Sequence, residues 1–389
     1  MNRRLICFVI YSSLLFTSGC WDRVEINNRA IWIATGLDAI EKEGIQLTGQ
    51  ILIPSSMNPQ NGGGGNGEKN FFLISAIGKN ITDATQKIQM KLSRKAFYGQ
   101  RRVLLLGEEF AKLGLKNQLD FTIKDPNASL RTDAFVVKKG TAIDMLNLSY
   151  PLENIPAEAP LKEHSQAGGM SDTSYLHFLK AVNSKGIRPS LPAIEIGNFQ
   201  DGEGVGKKGE KSYQLTGSAV FDQDLKLCGY LNMEEYRDQL WIMEILKKRS
   251  LTILIEDGNV SLDLDKMGSK VIPEISRNKN IKFTIVLTGE GAVIENNTNL
   301  DLTQPKNLEL IQNEFNKQYK KQVAHTITKV QTEYGTDIFG FGEVIHKQIP
   351  YQWRDLMNDW DKKFSDADVT VKVNLTIRRV GMSGPSLRK

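Results

Sequence analysis

The chain has 389 residues, of which 40% are hydrophobic and 24% are charged, and its formal net charge is +5. This composition is ordinary for a globular protein, and a chain of this length can bury a large core without disulfides. A positive charge this small gives no support for nucleic-acid binding, which needs clustered basic residues.

The amino terminus has the order of a secretory signal. A basic start, Met1 to Arg4, precedes the uncharged apolar run Leu5 to Phe16, which is shorter than the roughly 20 residues that a membrane-spanning helix needs. Three small residues, Thr17 to Gly19, then precede Cys20 in the arrangement of a lipobox, although a lipobox usually begins with Leu rather than Thr. We therefore expect residues 1–19 to be a lipoprotein signal peptide and Cys20 to be the lipid attachment site, an S-diacylglycerol and N-palmitoyl cysteine.

The cysteine content agrees with this expectation. The chain has three cysteines, Cys7, Cys20 and Cys228. Cys7 leaves with the signal peptide and Cys20 is the expected lipid site, so we expect no intramolecular disulfide. Cys228 lies in an apolar stretch and is predicted to be a small core residue rather than a reactive thiol.

The predicted elements of the first half mix strands and helices. The stretch 54–69 is predicted to be a loop because it contains four consecutive glycines, and Asn80 is the predicted cap of the first helix. Strands are predicted at 31–37, 46–53, 71–77, 102–106 and 135–137, helices at 81–92, 108–119, 142–148 and 171–183, and an extended, proline-containing connection at 151–160.

A second glycine-rich stretch, Gln200 to Gly209, is predicted to separate two regions. Its glycines fit the spacing G-x-G-x-x-G, but a dinucleotide site needs a strand before this motif and a helix after it. Here a charged loop precedes the motif and a strand is predicted to follow, so we expect no dinucleotide cofactor. The mature chain is accordingly divided into an α+β region at 20–200, a glycine-rich linker at 201–212 and a second α+β region at 213–389.

The second region combines predicted strands with one long amphipathic helix. That helix, at 307–334, has an apolar stripe along one face and Gly335 as its stop. The last strand, Val369 to Ile377, alternates apolar and polar residues, which predicts a strand of an antiparallel sheet with one solvated face. Further strands are predicted at 214–221, 225–231, 251–256 and 281–288, and further helices at 232–246 and from Pro350 to Phe364.

These elements predict the fold class. Strands and helices mix without regular alternation, which favours an α+β protein with mixed or antiparallel sheets.

No catalytic or metal-binding pattern is visible in the sequence. The four histidines belong to no His/Cys cluster with the spacing of a metal site. The chain has no G-x-S-x-G elbow and no Cys-x-x-Cys pair, and its carboxylates are spread too evenly to indicate a glycosidase pair. We therefore expect a protein that is not an enzyme, with no catalytic residue, no metal and no cofactor.

Several stretches, in order along the chain, carry a resemblance to a known family. They are CWDRVEI at 20–26, FYGQRRVLLLGEE at 97–109, LTGSAVF at 215–221, GYL at 229–231 and DIFGFG at 337–342, followed by Pro350, Trp353 and Trp360. Together they resemble the spore germination lipoproteins of the Ger(x)C family. Gln100 departs from the family pattern, in which His is expected at this position.

The resemblance implies a function that composition does not. It implies a three-part, multidomain α+β protein that serves as the C subunit of a nutrient germinant receptor in an endospore-forming Gram-positive bacterium. The lipid on Cys20 would anchor it to the outer face of the spore's inner membrane, beside two membrane-embedded receptor subunits. Its implied role in germination is assembly and signalling, without catalysis.

Two other classes of protein stay open at this point. A substrate-binding lipoprotein of an importer would also have Cys20 and a large soluble body, but it should show two lobes of repeated strand-helix units around an open cleft. A cell-wall enzyme would need a convergent catalytic set, such as a buried pair of carboxylates with perturbed pKa values.

Overall fold

The computed structural model describes residues 25, 28–40, 44–53, 70–116, 129, 131–148, 150, 153, 155–169, 174–198, 211–255, 258–278 and 280–379. Cys20, the stretch 54–69 and residues 201–210 of the predicted linker lie outside this set. The strands are β1 (Arg29–Ile40), β2 (Gly44–Leu52), β3 (Phe71–Gly78), β4 (Lys95–Phe97), β5 (Val103–Gly107), β6 (Asp133–Lys138), β7 (Ser190–Asn198), β8 (Lys211–Phe221), β9 (Leu227–Leu231), β10 (Arg249–Ile255), β11 (Gly258–Ile275), β12 (Ile281–Asn296) and β13 (Asp368–Arg379). The helices are α1 (Ile81–Gln89), α2 (Glu108–Leu113), α3 (Ala142–Asn147), α4 (Ala159–Gln166), α5 (Ser174–Val182), α6 (Met233–Ile242), α7 (Pro305–Lys329), α8 (Phe341–Gln348), α9 (Pro350–Leu356) and α10 (Trp360–Ser365).

The larger sheet has nine strands in the order β3-β2-β1-β5-β6-β7-β8-β9, with β4 paired to the start of β1. β1, β2 and β3 form an antiparallel meander, whereas β1, β5, β6 and β7 are parallel neighbours. Every residue of β5 is buried, as expected of a parallel strand that is covered on both faces. Helices α1, α2 and α5 cover one face of this sheet, and α3 and α4 cover the other.

The smaller sheet has the order β10-β11-β12-β13 and shares one core with α7. β11 and β12 pair antiparallel over most of their length, and β13 pairs parallel to β12. Ile311 and Phe315 of α7 are fully buried in the core formed by the inner residues of these strands. The amphipathic stripe of the long helix is therefore a core contact with this sheet.

Polar side chains of α7 also bond to the two edge strands of this sheet. Asn316 Oδ1 accepts a hydrogen bond from the Leu375 backbone nitrogen at 2.8 Å, and Gln312 Oε1 accepts one from that of Ile377 at 3.2 Å, both on β13. On β10, the Leu254 carbonyl accepts from Gln318 Nε2 at 3.0 Å. The helix thus covers backbone groups at edges that could otherwise pair with another chain.

The structure confirms the predicted α+β class, the mixed sheets and the long helix of the second half. The helix runs from Pro305 to Lys329 and continues as a π-helical turn to Tyr334, where Gly335 ends it in the left-handed conformation at φ 61°. Asn80 caps α1 as predicted, because its side chain accepts from the Asp83 backbone nitrogen. The division at 201–212 stays a prediction; β8, which begins at Lys211 within this stretch, and β9 pair within the larger sheet.

Two predictions about the last strand and the proline-containing connection are wrong. β13 has the predicted alternation of buried and exposed residues, but it lies parallel to β12 rather than antiparallel. Alternation reports one solvated face and not strand direction, and the helices between β12 and β13 supply the crossover that a parallel pair needs. The connection at 151–160 is not extended throughout, since Pro156–Glu158 forms a 3₁₀ turn that leads into α4.

Candidate functional site

A cleft of about 680 Å³ lies between the two sheets. Its volume falls within the range of small-molecule sites. Helices α4 and α5 and the segment 184–192 line it on the side of the larger sheet. Helices α6 and α8, residues 269–271 of β11 and residues 338–340 line it on the other side.

A buried polar network joins the two sides of the cleft. His164 on α4 is 1% exposed, and its Nε2 lies 2.8 Å from the hydroxyl of Tyr236 on α6. On its other side, Nδ1 lies 3.9 Å from Asp133 Oδ2. Burial, and then the charge of Asp133, raises the pKa of Tyr236, which keeps its hydroxyl neutral. His164 therefore bonds a neutral tyrosine across the junction.

Gln239 of α6 makes a second link across the same junction. Its side-chain nitrogen donates to Ser190 Oγ at 2.9 Å and to the Ile338 carbonyl at 3.1 Å. Its side-chain oxygen accepts from Ser218 Oγ at 3.3 Å. One buried amide thus joins β7 and β8 of the larger sheet to the turn before α8.

That turn is organised by Asp337, which is fully buried. Its carboxylate accepts hydrogen bonds of 2.9–3.0 Å from the backbone nitrogens of Phe339, Gly340 and Gly342 and from Trp360 Nε1. Burial raises the pKa of Asp337 to about 6, against the opposing effect of these donors. The carboxylate holds one backbone conformation, and within the described ranges it forms no ion pair with a cation.

The segment 184–190 docks directly on this turn. The Arg188 backbone nitrogen donates to the Asp337 carbonyl, and its guanidinium forms a 2.8 Å ion pair with Asp361. Gly186 and Gly342 lie so close that a Cβ on Gly342 would be 2.7 Å from the Gly186 Cα. Glycine is required at this contact because any side chain would push the segment 184–190 away from the Asp337 turn.

The rim of the cleft is cationic. Lys180, Lys270 and Lys347 come from three different elements and are exposed. Of the two carboxylates on the rim, Glu343 accepts a hydrogen bond from Ser184 Oγ. His177 adds no charge near neutral pH, since burial and the nearby Lys180 lower its pKa. The rim could therefore attract an anion, whereas the described residues contain no group of three side chains able to hold a metal ion.

Comparison with known proteins gives two family models that match the chain in order. The model of the spore germination protein N-terminal domain matches residues 22–196, and the model of the spore germination B3/GerAC-like C-terminal domain matches residues 216–381. The chain belongs to the Ger(x)C family.

Relatives of this Ger(x)C chain match it from end to end. Spore germination protein KC of Bacillus subtilis (strain 168) is 28% identical, covering 98% of this chain and 97% of its own length. Spore germination protein B3 of the same strain is 24% identical, covering 97% and 98%. The crystal structure of the GerBC protein, at 19% identity, has a TM-score of 0.54 over 88% of this chain and 96% of that one, which shows a shared fold.

The stretches that carried the family resemblance lie mainly at buried junctions. DIFGFG is the Asp337 turn, and Trp360 is one of its donors. In GYL, the Tyr230 carbonyl accepts from the Tyr334 hydroxyl at the end of the π turn. In FYGQRRV, the Tyr98 ring lies 4.8 Å from that of Trp32, whereas Gln100 is exposed. These residue types are explained by packing between elements.

The two cysteines of the mature chain have different outcomes. Cys20 lies outside the described residues, so its lipidation stays a prediction. Cys228 is exposed rather than buried in the core, which makes the prediction of its position wrong. Its Sγ bonds to the Val220 carbonyl at 3.3 Å, and desolvation of the thiol by neighbouring groups, followed by the charge of Asp222, raises its pKa to about 11. The thiol is therefore protonated near neutral pH and a poor nucleophile, as predicted.

Proposed function

We propose that this chain is a lipid-anchored subunit of a nutrient germinant receptor and that spore germination requires it. The observation that carries the proposal is the end-to-end match, because both family models occur in the correct order and relatives named as spore germination proteins match over almost their full length. The chain would act in an endospore-forming Gram-positive bacterium, on the outer face of the spore's inner membrane.

The membrane anchor in this proposal is the diacylglyceryl group on Cys20. Two acyl chains with an added palmitoyl group are sufficient for stable attachment. Among the residues that the structure describes, no helix is long and apolar enough to cross a membrane. The anchor would hold the body beside two membrane-embedded receptor subunits, where a high effective concentration allows even a weak interface to form.

The proposed role is assembly and signalling without catalysis. His164, the most buried of the four histidines, is engaged with Tyr236. The fully buried aspartates with raised pKa values, Asp238 and Asp337, have separate sets of donors and do not form an acid–base pair. Both arrangements are explained by packing between elements.

The importer alternative receives less support. A cleft between two halves is present, as an importer would need, but the halves are unlike: one is a nine-stranded sheet covered on both faces, and the other is a four-stranded sheet that shares its core with helices α6 to α10. They are not two lobes of repeated strand-helix units.

The proposal is tested by deleting the gene in the producing bacterium. We expect spores to lose germination through one nutrient receptor, measured as loss of optical density, while germination by a receptor-bypassing agent stays intact. Normal germination with every nutrient, in a strain without sister receptors, would refute the receptor function. A growth or cell-wall defect would instead favour the importer or the enzyme.

A Cys20→Ala variant tests the anchor separately. We expect an unprocessed precursor without diacylglycerol and a partial germination defect, because the protein interface survives while the tether is lost. Cys228→Ser is the matched control and should be processed and germinate normally. Mass spectrometry of the unaltered protein should find a lipid-modified Cys20 at the mature amino terminus; any other terminus contradicts the anchor.

A further inference from the structure

A cluster of cations lies at the corner of the larger sheet where β1 begins beside β4. β1 begins at Arg29, whose partner on the parallel strand β4 is Lys95. Gln89, the last residue of α1, bonds the Arg94 carbonyl and the Ala96 backbone nitrogen, each at 3.0 Å, and so fixes the end of α1 beside β4. Lys91 follows Gln89 by two residues, so its Cα lies within about 7 Å of that of Gln89.

No carboxylate of the described residues pairs with the cations at this corner. Among the described residues, Arg29, Lys91, Arg94 and Lys95 form no ion pair with a carboxylate, whereas Lys87, one turn earlier on α1, pairs with Asp83 at 3.0 Å. The Arg29 guanidinium lies 4.3 Å from the centre of the Phe97 ring, and Lys91 Nζ donates to the Ser75 carbonyl. Glu25, four residues before Arg29 in the sequence, is exposed and forms no ion pair with a described residue.

An exposed apolar side chain stands among the charges. Met90 directly precedes Lys91 and is 80% exposed, one of the most exposed large apolar residues of the described chain. A basic surface with an exposed apolar side chain suits the interface of a bilayer, where the cations meet lipid phosphates and the apolar group enters the boundary of the acyl region. We call Arg29, Met90, Lys91, Arg94 and Lys95 the tether patch.

The position of the patch in the chain adds a geometric argument. Arg29 is nine residues after Cys20, and nine fully extended residues span at most about 30 Å. With the lipid on Cys20 in the bilayer, the patch stays within that distance of the headgroups. Attraction between exposed charges acts over roughly 8–10 Å at physiological salt, so the patch can settle on an anionic surface.

We propose that the tether patch lies on the anionic phospholipid headgroups of the membrane and orients the body of the protein on that surface. The inference rests on the lipid anchor proposed for Cys20, which supplies attachment, while the patch supplies orientation. Three features favour an anionic bilayer as the partner of the tether patch. The patch is positively charged, it includes an exposed methionine, and it lies close to the anchor in the sequence.

The test uses the full lipidated protein reconstituted into vesicles. Ser93, exposed and between Lys91 and Arg94, is changed to cysteine in a Cys228→Ser background and labelled with a fluorophore that headgroup-attached quenchers reach only near the membrane. Vesicles of phosphatidylcholine are compared with vesicles in which part of it is replaced by phosphatidylglycerol. We expect quenching to be at least about threefold stronger on the anionic vesicles and to weaken in high salt.

Two double variants with the same change in net charge distinguish binding by the tether patch from a general effect of the protein's charge. Arg94→Glu with Lys95→Glu should return the quenching to its level on neutral vesicles. Lys247→Glu with Lys248→Glu, two exposed cations before β10, should leave it unchanged. Equal quenching on both vesicle types, or an equal loss in both variants, would overturn the proposal. Retention on neutral vesicles reports the anchor alone, so failure of the anchor and of the patch can be told apart.

Discussion

Two aspartates are completely buried in different regions: Asp238 on α6, beside the smaller sheet, and Asp337 in the turn before α8. Different groups stabilise the charges of the two carboxylates. Asp238 on α6 pairs with Arg249 at 2.8 Å and also accepts from Gln322 Nε2 and Thr326 Oγ1. Asp337 accepts from three backbone nitrogens and one indole, and in the part of the chain that the structure describes it pairs with no cation. Burial raises the pKa of both groups.

The difference shows two ways of joining elements. Asp337 organises a turn of its own segment, and all its donors except Trp360 lie within five residues of it. Asp238 joins α6 to β10 and to the middle of α7, with partners up to 88 residues away in sequence. A single substitution should therefore destabilise the protein more at the Asp238 site, where it can leave a buried charge without its partner.

The largest expected effect is that of Arg249→Met. It keeps a long apolar side chain but leaves Asp238 buried without its cation, and we expect it to lower the free energy of unfolding by about 3–5 kcal/mol. Chemical denaturation followed by tryptophan fluorescence measures this change. The control is Arg237→Met, which removes a partly exposed ion pair with Glu234 and should cost no more than about 1 kcal/mol. Equal losses in the two variants would break the comparison.

The next effect is a dependence of stability on pH that arises from Asp337. Its pKa rises from the ordinary value of 3.8 to about 6 in the folded protein, mainly through burial, so the folded state takes up the proton more readily than the unfolded state. This contribution to stability is fully present below about pH 4 and is lost as the pH rises through about 6, up to roughly 3 kcal/mol in all.

Asp337→Asn isolates this contribution from that of other buried carboxylates. The free energy of unfolding of both proteins is measured from pH 4 to pH 7, and the difference between the two curves should change by an amount of that order. The Asp337→Asn variant should lack the increase in stability that protonation of Asp337 gives the unaltered protein as the pH falls. Parallel curves would mean that the backbone donors keep the folded-state pKa of Asp337 near its ordinary value.

Local features of this fold were predictable from sequence because both partners lie within one helical turn. Asn80 and Asn232 cap their helices, and Asn232 forms a complete capping box with Glu235. Gly335 ends the long helix as its position indicated. DIFGFG at 337–342 was noticed as a family pattern, and an aspartate followed by glycines is a signal of a tight turn that could have suggested its role.

Features that depend on distant partners were not predictable. The strand β11 carries exposed polar residues among its buried ones and has no clean alternation, so it was missed. The parallel partner of β13 and the position of Cys228 depend on how separate elements pack. The cleft was missed for the same reason: the elements on both its sides were mostly predicted, but their contact through His164, Gln239 and Arg188 joins residues 49–173 positions apart.

The smallest expected effect tests whether the compensation of Asp238 is shared among its donors. Thr326 is buried and donates from Oγ1 to Asp238 Oδ2 at 2.9 Å, and Thr326→Val keeps the shape of the side chain while removing this donor. Because a hydrogen bond to a charged group contributes more than a neutral one, we expect a loss of about 1–2 kcal/mol in the free energy of unfolding. The control is Thr332→Val, since the Thr332 hydroxyl is exposed and bonds to carbonyls of its own helix, and it should change stability by less than about 0.5 kcal/mol. If Thr326→Val is as mild as Thr332→Val, then the Thr326 hydroxyl contributes little to the stabilisation of the Asp238 charge, which Arg249 and Gln322 must supply.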